Sequence, residues 1–161
     1  MNTGQSFLSI GALLMFSLVS LNFNTSVLQN TTVEVENKVY LTAFSLADDL
    51  IEEVKQKAFD AATIDFPTTN PASLTPPNNL GPANFEEYPN YNDIDDFHEF
   101  ERGVSAPHAE NYQVSCIVQY VDGDNPDNVV GFQTFYKKVI VTVTSPYLRN
   151  PVTLSHIFTH K

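Results

Sequence analysis

The sequence predicts an α+β protein, with one long N-terminal α-helix packed on a small antiparallel β-sheet meander. Two observations predict the helix: no charged side chain precedes Glu34 and no proline precedes Pro67, so one helix can run from Gln5 to about Ala62. A third predicts the sheet: from Tyr112 onward apolar residues alternate with polar ones, at the period of half-buried strands.

The helix has two halves of different character. Phe7–Phe23 is apolar enough to live in lipid, and the uncharged Ser, Thr and Asn residues that follow extend it towards Val33. The rival reading of this half is a cleaved secretory signal, which calls for a basic residue ahead of the apolar run. Further on, Tyr40, Ala43, Phe44, Ala47, Leu50, Ile51, Val54, Ala58 and Ala61 recur at spacings of three and four, one apolar stripe backed by a charged face. Asn24–Thr32, rich in Asn, Thr and Ser, is expected to soften the helix between the halves. The sequons at Asn24 and Asn30 fit N-glycosylation in form, but they lie on the helix beside the membrane.

Prolines at 67, 71, 76, 77, 82, 89 and 107 exclude a long helix or a central strand, so 65–108 reads as an extended loop around the head. Within it, Ile94, Phe97 and Phe100 suggest a short helical turn pinned to the core, with Asp93, Asp95 and Asp96 facing out. Three strands follow, Tyr112–Val121, Tyr136–Ser145 and Pro151–Thr159, joined by turn-rich segments at 122–128 and 145–151. A sheet with one apolar face needs a cover, and the amphipathic half of the helix is expected to supply it, Phe44, Ile51 and Val54 facing Val139, Val141, Val143 and Leu154. The domain division is thus 1–4 as a short leader, 5–33 as the hydrophobic helix and 34–161 as the head, built from helix 34–62, loop 65–108 and sheet 112–159.

Composition narrows the function. A net charge of −11, from 19 acids against 8 bases, repels nucleic acid. A lone Cys116 leaves no intrachain disulfide and no thiolate cluster for a metal. His98, His108, His156 and His160 fall in no His-x-x-x-His pair and in no hydrolase motif, so an enzyme is not expected. The carboxylates offer the only ligand chemistry. Asp122, Asp124 and Asp127, in one glycine-containing loop, supply hard oxygen donors suited to calcium, but without the closing glutamate of an EF-hand. As a solvated hairpin tip the same residues are favoured for turn geometry alone.

With Gly4 directly ahead of an apolar helix, the Asp93–Phe97 turn after it and strand segments from Tyr112 to Ser155, the whole chain resembles the superfamily of type IV pilins and type II secretion pseudopilins, its tail being similar to minor pilins and pseudopilins of the haemagglutinin-pilus kind. Gly4 directly ahead of Gln5-Ser-Phe-Leu-Ser-Ile-Gly-Ala-Leu-Leu is similar to a prepilin leader ending in Gly before an apolar helix. Asp93-Ile-Asp-Asp-Phe97, Tyr112-Gln-Val-Ser115, Lys138-Val-Ile-Val-Thr-Val-Thr-Ser145 and Pro151-Val-Thr-Leu-Ser155 are similar to the family's heads. Two positions depart from the pattern: no Lys or Arg precedes Gly4, and Ser9 is fifth from Gln5, where the family carries Glu.

The resemblance implies cleavage between Gly4 and Gln5 by a prepilin peptidase and residence in the bacterial inner membrane before assembly. It further implies a place in a cell-surface filament afterwards, as a homo- or hetero-oligomer joined through N-terminal helices. Phe7, Ser9, Gly11, Ala12 and Leu13 lie on the expected assembly helix, whose small residues permit close helix approach. The competing expectation is a membrane-anchored extracytoplasmic binding protein with an acidic, calcium-binding head.

Overall fold

The computed structural model describes residues 3–106 and 109–160. Met1, Asn2 and His108 fall outside them, and with them half of the expected 1–4 leader. The expected α+β class is observed: helix α1 (Thr3–Val54) is followed by strands β1 (Phe100–Ala106), β2 (Ala109–Tyr120), β3 (Tyr136–Thr144) and β4 (Val152–Thr159). The chain divides into two compact units, Met1–Lys38 and Val39–Lys161.

In the first unit every described residue is helical and none is buried. The expected softening at Asn24–Thr32 does not occur. Thr25 Oγ1 donates to Leu21 O at 2.9 Å, and Thr31 and Thr32 donate to Val27 O and Leu28 O at 3.0 Å each. Their hydroxyls bond back to the preceding turn, so they are satisfied on the helix itself and do not draw the backbone into another conformation. Lys38 and Glu34, one turn apart, form an ion pair at 2.7 Å.

The second unit holds the core. On α1 the buried residues are Val39, Ala43, Ala47, Leu50, Ile51 and Val54. The expected stripe is right at Ala43, Ala47, Leu50, Ile51 and Val54 but not at Tyr40 and Phe44, which remain 54% and 43% exposed, nor at Ala58 and Ala61, which lie beyond the helix and are not buried. Tyr40 and Phe44 each lie one residue, about 100° of helix rotation, from Val39 and Ala43. The small alanines, not Phe44, face inward.

The helix also stops short of the expected Ala62. Gln56 N and Lys57 N donate to carbonyls only three residues back, Glu53 O and Val54 O. That tightening closes the last turn. Ala58 then leaves to pair with the loop, Ala58 N donating to Asn92 O at 3.1 Å and Ile94 N to Ala58 O at 2.9 Å. Lys57 Nζ accordingly donates to Tyr91 O at 2.7 Å, and Glu53 Oε2 accepts from Tyr88 Oη at 3.1 Å.

The sheet has four strands, not three, in the order β1-β2-β3-β4, all antiparallel. The strand missed is β1, Phe-Glu-Arg-Gly-Val-Ser-Ala, which lies inside the expected loop 65–108 and ends just before Pro107. As an edge strand it needs few apolar residues and tolerates Gly103 and its charges. The rest of that loop is held in single 3-10 turns at Pro71–Ser73, Pro77–Asn79 and Asp95–Phe97. Phe100, Cys116, Val141 and Leu154 stand opposite one another across the four strands. Tyr112, Val114, Cys116, Val118 and Tyr120 of β2 are all buried, as their alternation predicts, together with Val139, Val141 and Val143 of β3.

Candidate functional site

Two regions carry chemistry beyond ordinary packing. The first is the apolar stretch of α1. Phe7, Leu8, Leu13, Leu14, Met15, Phe16, Val19 and Phe23 are each more than 60% exposed. The helix containing them is long and apolar enough to cross a membrane. Two hydroxyls along it are satisfied within the helix: Ser9 Oγ donates to Gln5 O at 2.9 Å and Ser17 Oγ to Leu13 O at 2.8 Å. Those serines therefore present little polarity to lipid or to another helix. A side chain added at Gly4 or Gly11 meets nothing within 4 Å.

The second region lies in the head, where the acids expected to face out turn inward. Asp93, Asp95 and Asp96 are buried beside Ile94 and Phe97, as are Asp60 and Lys137. The turn at 94–100 does pin Ile94, Phe97 and Phe100 to the core, as expected. Its carboxylates follow them inside because they have partners there. Asp93 Oδ1 accepts from Asp95 N at 2.7 Å, and Asp96 Oδ2 from Asn92 N at 2.8 Å and Asp93 N at 3.2 Å.

Lys137 joins three segments. Its Nζ donates to Phe59 O at 2.7 Å, to Asp60 Oδ2 at 2.8 Å and to Asp95 Oδ1. It also sits 4.5 Å from the Phe59 ring centroid and 5.2 Å from that of Tyr120. Asp60 is the most fully bonded member. Its Oδ1 accepts from Ala62 N at 3.0 Å and from Thr75 Oγ1 at 3.2 Å, while its Oδ2 accepts from Thr75 N at 3.0 Å and Tyr120 Oη at 3.2 Å. Asp95 Oδ2, by contrast, is buried with no partner.

These differences set the acidities. At Asp60 burial is the largest single influence and works upward, but Lys137 and the backbone donors of Ala62 and Thr75 together hold the carboxyl below its usual range. Burial pushes Asp95 up to about 7 against the opposing pull of Lys137. Burial, reinforced by Asp96, pushes Asp93 up to about 6. Asp96 is raised too, by burial first, while the backbone donors of Asn92 and Asp93 oppose it.

The calcium candidates do not converge. Asp122 Oδ1 accepts from Asp124 N at 3.0 Å, the local bond of a turn, and Asp127 pairs with Lys138 at 2.8 Å. Among the described residues no three His, Cys, Asp or Glu side chains are grouped to hold a metal ion. Three histidines pack structurally. His98 Nδ1 accepts from Val118 N, the His160 ring stacks on Phe59, and His156 lies edge-on to Phe158.

Lys137 was legible in principle, since it shares parity with Val139, Val141 and Val143 and so had to point into the core. Comparison with protein families, with curated proteins and with solved structures returns no match.

Proposed function

We propose that the chain is a non-enzymatic structural subunit of a type IV pilus-like or type II secretion filament. In this reading α1 anchors the subunit in the bacterial inner membrane before assembly and packs against sister helices, of this chain or of related subunits, afterwards. The observation that carries it is the run of exposed apolar side chains from Phe7 to Phe23 on a helix without a charge before Glu34. Such a surface is not stable in water and calls for lipid or for other helices. The pattern Gly4-Gln5 ahead of the apolar run supports processing at that bond, and Gly11 and Ala12 support close helix approach.

A photo-crosslinking side chain placed at Leu13 in living cells tests this directly. Adducts to further copies, or to other subunits bearing an apolar N-terminal helix, are expected. Adducts to lipid alone, under conditions in which filaments are made, would contradict it. Sequencing of the mature N-terminus is expected to find the amino group on Gln5, and an intact Gly4–Gln5 bond in filaments would remove the processing step from the account.

A further inference from the structure

The Lys137 cluster brings together what an amide bond between side chains requires: an amine, a carboxyl with a free oxygen, a second carboxylate and exclusion of water. Lys137 is fully buried, and Nζ touches one oxygen each of Asp60 and Asp95. The two acids differ in the way that assigns their roles. Both oxygens of Asp60 are held by donors from Ala62, Thr75, Tyr120 and Lys137, so its carboxylate is fixed. Asp95 uses only Oδ1 towards Lys137, and its buried Oδ2 is unpartnered. The aromatic rings of Phe59 and Tyr120 wall the amine.

We propose that Lys137 Nζ and Asp95 Cγ become joined by an isopeptide bond once the head has folded, with Asp60 as the proton carrier. The proposal is independent of the filament reading.

The chemistry balances without any outside reagent. The Lys137 ammonium passes one proton to Asp60, giving a neutral amine and a neutral acid, a pair that a site of low polarity favours over separated charges. The Nζ lone pair attacks Cγ of Asp95 in its acid form, and the Cγ–Oδ2 bond breaks. Asp60 gives its proton to the departing hydroxyl, which leaves as water, and takes the second proton from Nζ. The products are the Lys137–Asp95 amide, one water and a protonated Asp60, with no net change in charge. Burial pushes the pKa of Asp95 up to about 7, which keeps its acid form populated near neutrality. Asp60, held low, is the one of the two that begins ionised and able to accept a proton. Folding supplies the positioning that makes an otherwise slow condensation accessible. The bond closes a covalent loop between the turn at 95–97 and β3, in a chain whose single cysteine permits no intrachain disulfide.

Intact mass of the purified, folded full-length chain decides the matter, followed by tryptic digestion. No Lys or Arg lies between Lys57 and Arg102 or between Arg102 and Lys137, so Asp60 and Asp95 share the peptide 58–102 while Lys137 ends its own. The expected result is a mass lower by one water and a branched species joining 58–102 to 103–138, uncleaved at Lys137, whose fragmentation places the branch on Asp95. A chain of full mass with cleavage at Lys137 would overturn the proposal, as would a branch on Asp60 or a water lost elsewhere. Asp60→Asn, kept near-isosteric, is expected to slow bond formation by about tenfold or more. Undiminished formation in that variant would remove Asp60 from the chemistry.

Discussion

At the residue scale the head is governed by charges placed where charges are costly. Among the described residues Lys137 is the one buried cation, set against four buried acids, Asp60, Asp93, Asp95 and Asp96. Replacing it with methionine fills the volume but strands Asp60 and Asp95 against each other. The expected loss is about 3–5 kcal/mol in denaturant unfolding of the full-length chain in detergent. Retained stability would show that Lys137 contributes no more than packing.

Asp93 makes a separate, pH-dependent contribution. Its folded-state value of about 6 lies above the ordinary 3.8, so between those pH values the folded head holds a proton that the unfolded chain has released. Its contribution is therefore greatest below about pH 4 and is lost as pH rises through about 6. Asp93→Asn keeps the Oδ1 acceptor for Asp95 N and never ionises. It should raise stability at pH 7.5 by about 1–3 kcal/mol and flatten the dependence between pH 4 and 6. An equally steep dependence in the variant would place the titration on another group.

These inward acids are also where sequence reading fell short. Asp-Ile-Asp-Asp-Phe looks like a solvated turn with two apolar pins, and the partners that bring its carboxylates inside come from distant segments. Asp60 lies beyond the end of α1 and Lys137 on a distant strand, so although the parity of Lys137 turns it inward, no local spacing announces which acids it meets there.

At the scale of elements, legibility followed periodicity. The alternation in β2 and β3 placed every buried residue of those strands except Lys137, because a period of two leaves only two faces to choose between. Edge strand β1 has too few apolar positions to declare itself. The helix was legible in its existence but not in its end, since Ala58 is drawn off by backbone pairing with the loop at Asn92–Ile94, a contact between segments far apart in sequence. Its buried face was legible at Ala43, Ala47, Leu50, Ile51 and Val54, but not at Tyr40 and Phe44.

Two substitutions on α1 test the corrected phase. Ile51→Asp buries an unpaired charge in the core and should unfold the head, whereas Phe44→Asp, on the exposed side, should cost less than about 1 kcal/mol. Circular dichroism melts of both variants check this, and equal destabilisation would mean that Phe44 packs inside after all.

In the apolar stretch of α1, leucine at both Gly11 and Ala12 keeps affinity for lipid and blocks close helix approach. Membrane fractionation should be unchanged while recovery in sheared surface filaments falls. Undiminished recovery would show that this face does not meet a neighbouring helix.

At the scale of the whole molecule two compact units differ in what they bury. The described residues up to Lys38 expose apolar surface and bury nothing, while those from Val39 onward bury a core with their own sheet. Fold class was readable because the first unit carries an apolar run, without proline and without charge before Glu34, and the second carries strong periodic signals. The assembled state was not, because a surface that suits lipid and one that suits sister helices have the same composition. Immunogold electron microscopy with antibody to the head distinguishes them, applied to filaments sheared from cells that express the chain from its own locus. The account predicts label on the filaments and its loss when the gene is deleted. Unlabelled filaments, with the chain recovered from membranes only as a monodisperse monomer, would contradict it.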